Sequence, residues 1–339
     1  MRITKESLLR VARENVSQRI HSRPELVAAY LTGSLLKDAP LLGNTTDIDL
    51  VFVHPHQPSV RREIVALTPE IHLDIKYNPR CEYEPPRELR LNPWLGPEMY
   101  DPIRLYDGRH FFDFVQAGVR EKYHDPVNAY RRASLNAQHA RQIWGDLQVK
   151  QDDSPKSMLF FLKSVNHAAN AIAVIKDSPL SERQFLLEFS GCAESTGNAS
   201  LIEDLYDLLG ASQTEKNSLE GYLPDWEKDF LEAGRIPSAD IRLHPARLAY
   251  YRQGFEALLT GEKPLSILWP LIHTWSLAAE ALPATVRSSW SACCLQLGLL
   301  QEGLASRLQK LDHFLDIVEK ILDKMVVSYG LTEFESSNF

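Results

Sequence analysis

The chain has 339 residues, 44% of them apolar and 24% charged, and its 37 Lys+Arg against 45 Asp+Glu give a formal net charge of −8. This is a globular composition, long enough for about two domains, and it excludes disordered and collagen-like chains. No apolar run reaches the roughly 18 residues that a membrane span needs.

Thr4 to about Ser22 repeats apolar residues at a helical period through Leu8, Leu9, Val11, Ala12, Val16 and Ile20, with Thr4 placed to cap the helix. After Pro24, Leu26-Val27-Ala28-Ala29-Tyr30-Leu31 has the length of a strand, and Gly33-Ser34 follows at a strand-to-helix turn. Asp47-Ile48-Asp49-Leu50-Val51-Phe52-Val53 reads as a second strand, stopped by Pro55 and Pro58, and Arg61 to Leu67 as a short helix. Ile71-His72-Leu73-Asp74-Ile75-Lys76-Tyr77 alternates apolar and polar residues, which predicts a third strand. From Pro79 to Pro102 the chain is rich in Pro, Arg and Glu and reads mostly as loop.

Beyond about Asp125 strand signals nearly vanish. Helical periodicity recurs over residues 127–147, 157–176, 183–189, 200–209, 214–231, 245–260, 265–281, 285–300 and 303–328, with Gly, Pro, Asp or Ser at the breaks. The expected fold class is α+β. Residues 1–125 form a small mixed sheet with flanking helices, and residues 126–339 form an all-helical bundle. The charge divides with the domains: residues 1–125 hold 17 Lys+Arg and 18 Asp+Glu, leaving 20 and 27 for the remainder. Nucleic-acid binding needs basic surface to release counterions, and neither half offers it in bulk. A small or cationic partner suits the acidic half better. Cys81, Cys192, Cys293 and Cys294 are too few and too scattered for a disulfide framework or a zinc site. Met1-Arg2-Ile3-Thr4-Lys5-Glu6 has no apolar signal-peptide core. A soluble, cytoplasmic protein is expected.

The chemistry concentrates in Gly33-Ser34 and, twelve residues later, Asp47-Ile48-Asp49. Side chains alternate along a strand, so Asp47 and Asp49 share a face with their carboxylates close together. Such a pair repels itself unless a cation intervenes. A hard, oxygen-seeking Mg²⁺ is the usual solution, and it brings a substrate phosphate with it. Gly33 lets backbone approach closely, and the following N–H groups are placed to receive phosphate oxygens. Asp74, central in the third strand, is placed to complete a carboxylate triad. Carboxylates inside apolar strands are costly unless paired or metal-bound, which is what lifts this set above a chance Asp-x-Asp.

This arrangement resembles the motif of the polymerase-β-like nucleotidyltransferase superfamily: an apolar strand, Gly-Ser, a spacer, Asp-x-Asp, and a later strand carboxylate. The match lies in residues 26–78. The charge balance and the large helical second half look like the small-molecule adenylyltransferases of the aminoglycoside type. Tyr83-Glu84-Pro85-Pro86-Arg87-Glu88-Leu89 and Trp94 faintly resemble a stretch that follows the third carboxylate in the streptomycin/spectinomycin enzymes, which carry Glu where this chain has Asp74.

The resemblance implies a Mg²⁺-dependent nucleotidyltransferase that moves AMP from ATP to a hydroxyl of a small acceptor and releases pyrophosphate. Asp47 and Asp49 would hold Mg²⁺ against the triphosphate. Asp74 would ligate a second ion, act as base, or both, and Gly33 and Ser34 would hold phosphates. Two other readings stand beside this one: nucleotidylation of a protein partner, and a non-catalytic nucleotide-binding regulatory protein.

In the helical half, Lys163 and His167 share one helix face, and Lys163 is a candidate to neutralise the triphosphate. Arg183, at the opening of the next helix, is a second candidate for phosphate binding. His72 and Lys76 share the strand face of Asp74 but are read as ordinary strand residues. His54-Pro55-His56 reads as a surface turn, and the Arg132–His139 spacing, seen in some helical ribonuclease domains, as chance.

Overall fold

Leu26–Leu31 and Asp47–Val53 owe their strand character to short apolar runs with branched and aromatic residues, Pro24 standing before the first and Pro55 after the second. In the computed structural model, which describes residues 4–37, 39–149, 152–176 and 178–331, both lie at the middle of a five-stranded mixed sheet. Residues 1–3 of the N-terminal stretch read above, and residues 332–339 of the last predicted domain, lie outside the described residues.

The first compact unit runs to Tyr123 and also takes in His244–Ala257. It begins with α1 (Lys5–Ser22), where the Thr4 side chain accepts a hydrogen bond from the Ser7 N–H. The strands are β1 (Ala28–Thr32), β2 (Thr46–His54), β3 (Arg62–Ala66) and β4 (Ile71–Pro79); then come α2 (Pro86–Leu89), α3 (Leu95–Tyr100), β5 (Ile103–Asp107) and α4 (Phe111–Arg120). Their order in the sheet is β3-β4-β2-β1-β5. β2 and β4 run parallel and the other neighbours antiparallel.

One face of the sheet is apolar. Ala29, Leu31, Ile48, Leu50, Phe52, Leu73, Ile75 and Tyr77 pack with Leu8, Ala12 and Val16 of α1. The other face divides. Towards the end of β2, Tyr30, Val51 and Val53 meet Tyr83, Met99, Phe112 and Val115. Towards its start, the same face carries Asp47, Asp49, His72 and Asp74. Removing a fully buried side chain such as Leu50 or Phe52 costs about 2–5 kcal/mol, so the apolar layer is the platform that fixes the polar one.

Three local expectations are corrected. Within Arg61–Leu67 the chain is a strand, Arg62–Ala66, not a helix: β3 pairs antiparallel with the free edge of β4, and the β-branched Ile64 and Val65 suit that pairing better than a helix too short to nucleate. The chain after Gly33 makes a single 3-10 turn, Gly33–Leu36, in place of a helix. The stretch read as loop before Pro102 contains α2 and α3.

The second unit comprises His124–Leu243 and the described residues from Leu258 onward. The remaining helices are α5 (Pro126–Val149), α6 (Pro155–Ala173), α7 (Phe185–Ser195), α8 (Ser200–Leu208), α9 (Lys216–Ala233), α10 (Leu248–Thr260), α11 (Leu268–Ala281), α12 (Ser288–Gln296) and α13 (Glu302–Tyr329). Within the unit α5 packs on α6 and α13, and α11 on α6 and α9. Trp226, Trp275 and Trp290 are buried there, and their indole N–H groups donate to Thr274, Asp229 and Ser276. The α+β class expected from the sequence is therefore observed. No helix among the described residues is long and apolar enough to cross a membrane.

Candidate active site on the polar face of the sheet

Register builds the site. In the parallel pairing of β2 with β4, Asp47 stands opposite His72 and Asp49 opposite Asp74, while β1 places Thr32 opposite Asp49. The four polar residues therefore share one face. Gly33 leaves β1 at φ +78°, a left-handed conformation that favours glycine. A Cβ at this position would lie 1.8 Å from Asp49 Oδ2, so the Asp49 carboxylate rests directly on the Gly33 backbone. The Ser34 hydroxyl pairs with that of Thr46 at 3.2 Å, tying the turn to the start of β2.

Asp74 is 1% exposed, and both of its oxygens are taken. Arg62 on β3 grips it in a fork, Nε donating to Oδ1 at 2.7 Å and Nη2 to Oδ2 at 2.6 Å. Arg247 Nη1 donates to the same Oδ2 at 3.2 Å, and its Nη2 lies 3.8 Å from Asp47 Oδ2. Burial alone would push the Asp74 carboxyl up, but the Arg62 hydrogen bonds and the two guanidinium charges bring it below the usual range. Asp49 goes the other way: burial, then the charges of Asp47 and Asp74, push it well above. Among the described residues it accepts no hydrogen bond. One face thus holds a carboxyl that resists ionisation and another kept ionised.

Arg247 is delivered by the segment that returns to this unit. His244 Nδ1 accepts the Ala246 N–H and caps a 3-10 turn, Pro245–Arg247. The guanidinium lies 5.2 Å from the Tyr250 ring centre and 5.3 Å from that of Tyr251. Tyr250 meets His72 edge to face at 5.0 Å. Gly43 supports this packing, since a Cβ there would lie 2.0 Å from the Gln253 carbonyl oxygen of α10.

Beside Asp49 runs a second polar chain. Asn78 donates to the Tyr83 hydroxyl at 3.1 Å, the Tyr83 and Tyr30 hydroxyls pair at 2.8 Å, and Tyr30 donates to Glu98 at 2.8 Å. Glu98 also holds Lys76 at 3.0 Å. The charge of Glu98, outweighing burial and helped by Asp49, raises the Lys76 ammonium and keeps it protonated.

The structure thus brings Gly33, Ser34, Asp47, Asp49 and Asp74 together in one unit. His72, read from the sequence as an ordinary strand histidine, is 1% exposed, and its ligand atom lies within 4.8 Å of those of Asp47 and Asp74. Lys163 and Arg183 belong to the second unit. Lys163 is exposed on α6, one turn from the buried His167, which contacts Asn136 Oδ1 at 3.1 Å. Arg183 is buried in the turn before α7. Sequence reasoning missed Arg62 and Arg247. Taking Arg61–Leu67 as a strand would have placed Arg62 next to Lys76 and found the first, but no local pattern points to an arginine 173 residues from its partner.

The donor set fits a divalent cation. Asp47 and Asp49 offer hard oxygens on one strand face, and the partnerless Asp49 carboxylate is the group a cation would satisfy. No family model matches the chain. Over 260 residues, 74% of its length, it is 21% identical to the serine/threonine-protein kinase PKH2 of Candida albicans, and it spans about a quarter of that protein. A nucleotidyltransferase-like protein from Exiguobacterium sibiricum 255-15 aligns with 74% of this chain and 78% of its own, at 12% identity and a TM-score of 0.30.

Proposed function

We propose that the first unit is a nucleotidyltransferase that moves AMP from ATP to a hydroxyl of a small acceptor. The observation that supports this best is the seating of Asp49 on the bare Gly33 backbone, with Asp47 on the same face and Asp74 opposite on a parallel strand. Asp47 and Asp49 would hold Mg²⁺, which when bound neutralises triphosphate charge and so favours attack at the α-phosphorus. Gly33 and Ser34 hold phosphate oxygens. Lys76, fixed by Glu98, adds a positive charge beside Asp49. The acceptor oxygen bonds to the α-phosphorus as the bridge to the β-phosphate breaks, pyrophosphate leaves with that electron pair, and the hydroxyl proton passes to solvent. Asp74, ionised and already gripped by two guanidiniums, orients rather than takes the proton. Catalysis here is positioning and charge neutralisation. Lys163 and Arg183, candidates for phosphate binding from their sequence context, both belong to the second unit.

The test is α-labelled ATP with Mg²⁺, a panel of hydroxylated small molecules and a protein lysate as acceptors. Label transfer and pyrophosphate release are expected, falling at least about 10²-fold in Asp47→Asn and Asp49→Asn. Transfer that survives both substitutions overturns the reading. A second reading, a nucleotide-binding regulatory protein, is favoured by one observation: both Asp74 oxygens already have partners. It calls for ATP binding without pyrophosphate release on any acceptor.

A further inference from the structure

The arginines on Asp74 bear on how many cations this face accepts. Asp47, His72 and Asp74 have the spacing of a metal-ligand trio. Two of those three ligands, however, are the ones the Arg247 guanidinium bridges, at 3.2 Å from Asp74 Oδ2 and 3.8 Å from Asp47 Oδ2. Arg62 occupies the other Asp74 oxygen and shares Oδ2. A cation in the trio would have to displace a guanidinium that is 2% exposed, lies against two tyrosine rings and stands on a capped turn. Arg247 is therefore a fixture of the face, not a side chain that swings aside.

Charge counting agrees. Lys76 is matched by Glu98. The three aspartates are met by the two arginines, leaving one negative charge. One divalent ion turns that into one positive charge, which suits an incoming triphosphate, and before that triphosphate arrives a second ion would be added against net positive charge.

Resting on the nucleotidyltransferase reading, we infer that Arg62 and Arg247 stand in for the second, acceptor-side cation, so that this chain takes one divalent ion, on Asp47 and Asp49, and not two. Both arginines act through Asp74 as positioning residues. A phosphate-rich donor is then the class of ligand the ion serves, and the acceptor meets fixed guanidinium charge.

The test counts ions. Mn²⁺ is titrated into the full chain with a saturating non-hydrolysable α,β-methylene ATP analogue, and free Mn²⁺ is read by electron paramagnetic resonance. The wild type should bind one Mn²⁺ per chain, Arg247→Lys should also bind one, and Arg62→Met/Arg247→Met should bind two. Asp49→Asn should bind Mn²⁺ at least tenfold more weakly. Two ions on the wild type overturn the inference while leaving the nucleotidyltransferase reading in place, and a folded double variant that still binds one overturns it as well. No ion on the wild type overturns both. Should circular dichroism show the double variant unfolded, the wild-type count decides alone.

Discussion

Two clusters of three carboxylates, one in each unit, use arginine in opposite circumstances. On the sheet, Asp47 and Asp74 are buried and Asp49 is partly so; Arg62 and Arg247 hold Asp74, and Arg247 also lies beside Asp47. On α13, Asp312, Asp316 and Glu319 stand at helical spacing with side chains 42–50% exposed, and all three converge on Arg141. The formal ingredients are nearly the same. Water solvates the helical acids whether or not Arg141 is present, so their pairing adds little. The sheet acids have no such recourse, and an ionised carboxylate deprived of water must find a cation. Location in an apolar sheet, not the number of acidic residues, is what makes the first cluster chemically poised.

The largest effect should come from Gly33→Ala. Its Cβ would sit within a bond length or so of Asp49 Oδ2 at a strained φ. Displacing that carboxylate by an ångström should lower nucleotidyl transfer about 10²-fold, measured as kcat/KM, with the unfolding midpoint of the helical unit unchanged. A Gly33→Ala variant with full activity would erase the contrast at its most sensitive point.

Arginine removal breaks the comparison directly. Arg247→Met strands buried charge and should destabilise the first unit by about 3–5 kcal/mol, seen as a fall of roughly 10 °C in its melting transition. Arg141→Met should cost about 1 kcal/mol or less. Equal losses would mean that burial does not distinguish the clusters.

Acidity sharpens it further. The folded chain holds the Asp49 proton to higher pH than the unfolded chain, so between the unfolded carboxylate range, near pH 4, and the raised folded value the folded state binds more protons. Stability of the first unit therefore falls as pH rises through that window, and a cation that binds ionised Asp49 restores it. Mn²⁺ should raise the first unit's melting temperature more at pH 8 than at pH 5, an increment that Asp49→Asn removes. Hydrogen exchange in α13 should not respond. The smallest effect is in thiol labelling: exposed Cys81 should react fast, whereas Cys293, pushed up to about 12 by burial, and Cys294, also raised, should resist until unfolding.

Much of this was legible in the sequence because it is local. Strand alternation put Asp47 with Asp49 and His72 with Asp74, and helical periodicity located α5 to α13, although α7 runs on to Ser195, beyond the predicted residue 189. What escaped was set by pairing partners. β3 is a strand because β4 offers it an edge, and His72 is buried because Tyr250 lies across it. The role of Arg62 follows from the first of these contacts. Arg247 sits in a segment whose own helical pattern looked like all the rest of its half, and nothing in that pattern says which unit it joins.

The return of His244–Ala257 to the first unit also imposes a schedule on synthesis. Tyr123 leaves the ribosome with every aspartate of the site already made, yet Arg247 is still more than a hundred residues away. At roughly 5–20 residues per second that interval is on the order of ten seconds. Throughout it the nascent sheet has Arg62 as its one strand-borne guanidinium against Asp74. The first unit thus begins before the second and cannot close until His244–Ala257 has been made, and a fragment ending near residue 125 would inherit the carboxylates without the second of their two arginines.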